Sequence, residues 1–118
     1  MASIAEMAIK NAMAGLLFMS EFDAPFELVS LDMPPSPEVL RRLGGHPPDA
    51  PVADSSLDLI FGTQDMSDAR MQNLRAVLEK MLSSISTYRV GDVNVTYYVV
   101  GEVEKKWLGI RAKAVETG

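Results

Sequence analysis

Hydrophobic positions at the start of the chain repeat at helical spacing. Ile4, Met7, Ala8, Ala12, Gly15 and Phe18 share one face, which predicts an amphipathic helix over residues 3–18 with Ser3 as its N-cap. The run Leu16, Leu17, Phe18 and Met19 carries that helix into the core. The chain then turns at an acidic corner, Glu21 and Asp23, which Pro25 stiffens. Phe26 to Leu31 is apolar on both faces and predicts a short central strand. Ser36-Pro37-Glu38 opens a second helix, with a capping serine, proline at the first helical position and an early carboxylate. Gly44-Gly45 closes it, and the prolines of residues 46–52 mark a loop. Ser55 to Phe61 fits either one helical turn or a short strand.

The second half is more regular. Met71, Leu74, Leu78, Met81 and Ile85, joined by Val77 and Leu82, predict a helix of about four to five turns lying on a sheet, with Ser67 as its cap. Val93, Val95, Tyr97 and Val99 alternate with their neighbours, which marks a strand. Gly101 to Lys106 makes a turn. Leu108, Ile110, Ala112 and Ala114 form the apolar face of a last strand, whose other face carries Arg111 and Lys113. The two strands close the chain as a β-hairpin. The pattern predicts a single α+β domain over residues 1–118, with helices covering a small mixed sheet. Val115 to Gly118 project beyond the sheet edge, where a chain end either frays or binds something.

Composition narrows the function classes. A chain of 118 residues that is 47% hydrophobic has the size and content of one folded domain. No apolar run reaches the roughly 18 residues of a membrane span, so no membrane role is expected. The first ten residues lack the basic start and apolar block of a secretory signal. Cysteine is absent, which removes disulfides, thiolate nucleophiles and zinc-thiolate sites and fits a cytoplasmic protein. The net charge of −5 is unevenly spread. Between Gly15 and Ala69 the only bases are Arg41 and Arg42, against ten acids. Such a surface repels nucleic acid and attracts a basic partner, besides keeping the chain soluble.

Catalytic sets are missing. The lone histidine, His46, stands between Gly45 and Pro47 and reads as a solvated loop side chain. No second histidine is present for a typical zinc site, and Gly44-Gly45 lacks the lysine and spacing of a phosphate loop. Glu21 and Asp23 resemble an acid pair, yet nothing in the sequence holds a substrate between them. The chain therefore reads as a non-enzyme with no cofactor and no metal site of its own. Trp107 beside Lys105-Lys106 reads as folded back onto the sheet rather than as an exposed anchor.

Two blocks give the chain a family likeness. G-L-L-F-M-S-E, Gly15 to Glu21, followed by Pro25-Phe26-Glu27, resembles the N-terminal signature of the nuclease A inhibitor family. Y-R-V-G-D-V from Tyr88, Tyr98 to Glu102, Leu108-Gly109-Ile110 and the ending Val115-Glu116-Thr117 are similar to its C-terminal half. The resemblance implies an α/β/α sandwich and an inhibitor of a magnesium-dependent, sugar-non-specific endonuclease of the ββα-metal type. It implies a monomer that binds one nuclease and touches no nucleic acid directly. By the same resemblance Glu21 pairs with a nuclease arginine, and Thr117 contacts the metal of the bound nuclease. Asp65 and Asp68, in and after the block Thr63-Gln64-Asp65, are further contacts, as are Asp23, Glu116 and Gly118. Three features depart from the family pattern. Gly118 follows the threonine, Met66-Ser67-Asp68 replaces a more acidic and aromatic run, and Arg70 enters that neighbourhood. The alternative is a binding module of the same fold with a partner other than a nuclease.

Overall fold

The first helix is shorter than its apolar pattern, and the reason is local. In the computed structural model, which describes residues 3–21 and 23–116, α1 spans Ile4–Met13, with the Ser3 hydroxyl accepting from the Glu6 amide. Ala14 turns extended and Gly15 takes a φ of +77°, a conformation that glycine adopts without strain. Past that glycine the period changes from helical to alternating. Leu16 and Phe18 point inward, while Leu17 and Met19 are 45% and 52% exposed. The stretch expected to end a helix is therefore a short ribbon, β1 Leu17–Phe18 paired with β2 Ala24–Pro25.

The main sheet has five strands: β3 Glu27–Leu31, β4 Val52–Asp54, β5 Ser83–Gly91, β6 Asn94–Val103 and β7 Lys106–Val115, in spatial order β3-β7-β6-β5-β4. Every pairing in it is antiparallel, where a mixed sheet was expected. Two consecutive hairpins join β5, β6 and β7, and hairpin connections produce antiparallel neighbours. β3 sits at an edge rather than in the centre, because β7 and β6 take the middle. Val29 and Leu31 are buried on one of its faces, while on the other Leu28 is half-buried and Ser30 is exposed. The C-terminal hairpin is as expected, although β6 runs on to Val103 and leaves only Glu104-Lys105 as the turn.

Helices cover both faces, giving the α/β/α arrangement of an α+β domain. On one face α1, α3 Leu57–Phe61 and α4 Ala69–Met81 bury Ile9, Phe61, Leu74 and Leu78 against Val99, Leu108, Ile110 and Ala112. Each fully buried side chain of this kind contributes about 1.5–3 kcal/mol. On the other face α2 Pro37–Leu43 sets Leu40 over Val29, Val90, Tyr98 and Val100, with Trp107 packed against the group as the sequence suggested. The segment 55–61 resolves as the helical turn of α3.

Three further expectations change. α4 is capped by Asp68, not Ser67, and ends at Met81, because Leu82 is extended and Ser83 opens β5. Ile85 thus belongs to a strand that its serine-rich alternation concealed. Val52 begins β4 although the prolines around it suggested only loop. His46 is not a solvated side chain: it is half-buried, with Nε2 2.8 Å from the Thr96 hydroxyl. Among the described residues no helix is long and apolar enough to cross a membrane.

Candidate functional site

β7 ends on the α1/α4 face of the sheet, beside the loop that follows β1. A cleft of about 360 Å³ forms there, lined by Phe18 to Glu21, Thr63, Tyr97 and Ala114 to Glu116. Its apolar part is aromatic. Phe18 lies 5.5 Å from Tyr97 between ring centroids and meets Phe26 edge-on at 6.0 Å. Glu21 and the last described residues of the chain therefore share one concavity. Coupling is direct, since the Val115 amide donates to the Ser20 hydroxyl at 3.2 Å, one residue from Glu21.

Glu116 is engaged from within. The Tyr97 hydroxyl donates to its carboxylate at 2.6 and 2.9 Å, and Arg89 Nη2 donates to Oε2 at 3.3 Å. Arg89 and Tyr97 stand opposite each other in the β5–β6 register. Burial raises the Tyr97 pKa, and the hydrogen bond to Glu116 raises it further. Arg89 also stays above its ordinary value. Burial works against its charge, but Tyr97 and Glu116 outweigh that.

A second, adjoining cleft of about 260 Å³ is lined by Leu17, Met19, Gln64, Asp65, Asp68 and Arg70, among others. Gln64 joins the two. Its Oε1 accepts from the Met19 amide at 2.8 Å, and its Nε2 donates to the Met19 carbonyl at 3.0 Å and to the Thr63 hydroxyl at 2.8 Å. One carboxamide thus takes the place of a strand partner for Met19, whose half-exposed side chain lines both clefts. Asp65 accepts from the hydroxyl and amide of Ser67, which lowers its pKa. Asp68 caps α4 by accepting from the Arg70 amide at 2.9 Å. It also pairs with the Arg70 guanidinium at 3.0 Å, and that pair lowers its pKa. The Asp68 charge is therefore matched locally.

The structure brings Glu21 and Glu116 into one cleft and sets Asp65 and Asp68 in the next. Asp23 is exposed just before β2 and is not among the described residues that line either. Thr117 and Gly118 lie outside the described residues. Sequence reasoning took Ser20, Gln64 and Arg89 only as parts of quoted blocks and Tyr97 only as a strand position, and gave none of them a role at the site. A signal existed for one of them: Tyr97 sits where the alternation of its strand points toward the helix layer, whereas Arg89 lies in β5, which the sequence concealed. Among the described residues no group of three or more His, Asp or Glu side chains is placed to hold a metal ion.

A family model described as "Nuclease A inhibitor-like protein" matches residues 3–117, nearly the whole chain. The chain belongs to the nuclease A inhibitor-like family. In direct comparison no curated protein matches it. For this nuclease A inhibitor-like protein the match takes in the Glu21 loop, the Gln64–Asp68 loop and the end of β7, all three parts of the two clefts.

Proposed function

We propose that this protein inhibits a sugar-non-specific, magnesium-dependent endonuclease of the ββα-metal type, as a non-catalytic, cytoplasmic monomer that binds one nuclease molecule. The observation that carries the reading is the shared cleft: Glu21 and the end of β7 line one concavity. A nuclease that cuts any nucleic acid grips phosphates with basic groups around a metal ion. A protein that offers carboxylate oxygens from a fixed corner and a terminal segment from the same edge fills that groove and presents no phosphodiester. Glu21 pairs with a nuclease arginine in a charge-assisted hydrogen bond. Thr117, with Gly118 beside it, supplies hard oxygen ligands of the kind that magnesium accepts. Asp23 and Asp65 add negative charge around the contact. Asp68 contributes less, because Arg70 already occupies it. Half-exposed Met19 and Leu17 give the contact an apolar centre.

Titrating the protein into a ββα-metal nuclease digesting plasmid DNA tests this reading. Stoichiometric loss of cleavage supports it, and unchanged cleavage at micromolar excess overturns it.

A further inference from the structure

We propose that Arg89, Tyr97 and Glu116 form a clamp that fixes the point where the terminal segment leaves the sheet, and that they act as positioning residues rather than contacts. The inference rests on the preceding reading only for its consequence at the nuclease; the clamp itself is a property of the chain alone. A residue just past a strand normally frays, because its backbone and side chain have no neighbours. Glu116 has both. Its amide donates to the Val93 carbonyl at 2.9 Å, and its carboxylate accepts from Tyr97 and Arg89.

Arg89 extends the tie. Its Nη1 donates to the Gly91 carbonyl at 3.0 Å, and its Nη2 donates to the Asp92 carbonyl at 3.2 Å as well as to Glu116. One guanidinium thus joins the β5–β6 turn to the residue after β7, which only a planar fork with several donors does at once. On the other side the Ser20 hydroxyl accepts from the Val115 amide, so the Glu21 loop is tied to the same two residues. The terminal segment therefore starts from a fixed point beside Glu21. Holding both in place before binding reduces the ordering cost when a partner arrives.

The test uses Tyr97→Phe, which keeps the ring against Phe18 and removes only the hydroxyl. Amide hydrogen exchange on the free protein should speed up at Glu116 and Val115 by about tenfold, the factor expected for one net hydrogen bond, while Val99 and Ile110 hold their rates. Unchanged exchange at Glu116 overturns the clamp. In nuclease titrations Tyr97→Phe should weaken inhibition by about tenfold in the full chain and by nothing in a chain ending at Glu116. Equal losses in both chains mean a purely structural role and overturn the positioning assignment. Arg89→Lys keeps the charge without the fork and should repeat the pattern. Failure of the unaltered chain to slow cleavage counts against the inhibitor reading instead, and leaves the exchange result to decide the clamp.

Discussion

Single polar groups in this protein differ in what their removal should cost. Tyr98 is fully buried, and its hydroxyl donates to the Leu40 carbonyl at 2.9 Å. That carbonyl also accepts from the Gly44 amide and stays partnered in Tyr98→Phe, while the Arg111 guanidinium loses its hydrogen bond to the hydroxyl. The expected loss is about 1 kcal/mol, to be read from urea denaturation midpoints. Glu21→Ala should remove about 2 kcal/mol or more of nuclease binding, measured by calorimetry, if Glu21 pairs with a buried arginine. His46 predicts a pH effect. Burial, with Lys113 nearby, lowers its pKa below the ordinary 6.5. The unfolded chain therefore binds the proton more readily than the folded one. Its contribution to stability is present above pH 6.5 and is lost as pH falls through the lowered value. Melting temperature should drop between about pH 7 and pH 5, and His46→Gln should flatten that part of the profile. A glycine and a proline around this histidine suggested exposure. Its partner Thr96 lies 50 positions away, where local pattern gives no warning.

At the level of elements, the local chemistry was legible where side chain and backbone agree. Ser3 and Ser36 cap α1 and α2 as their positions implied, and the alternation of β6 and β7 put Leu108, Ile110 and Ala112 inside. Boundaries failed where one apolar set serves two periods. Leu82 and Ile85 continue the spacing of α4, yet Leu82 turns extended as the C-cap of the helix and Ile85 lies in β5, which pairs with β6. β4 was hidden because only three of its residues pair, and Pro51 precedes them. The β6–β7 turn carries visible strain. In the β6–β7 turn Glu104 and Lys105 have φ of +50° and +67°, a two-residue turn that favours Asn-Gly. Replacing the pair by Asn-Gly should raise stability by about 1 kcal/mol without altering inhibition, as thermal unfolding and nuclease titration in parallel would show.

For the whole molecule, the uneven charge makes association sensitive to salt. The acidic segment takes in Glu21, which lines one cleft, and Asp65 and Asp68, which line the other. The association rate with a basic nuclease should fall steeply as ionic strength rises, while the dissociation rate changes little; stopped-flow measurements would separate the two. The candidate site was legible as two blocks of residues distant in sequence. Their meeting was not, since it depends on β7 lying between β3 and β6. That placement also governs when the protein becomes itself during synthesis. A ribosome delivers β3 early, but among the described residues its neighbour in the sheet is β7, made long afterwards. Until β7 has been made, that edge of the sheet waits unpaired, so a chain cut before Lys106 leaves β3 without its partner and the cleft beside Glu21 without one wall.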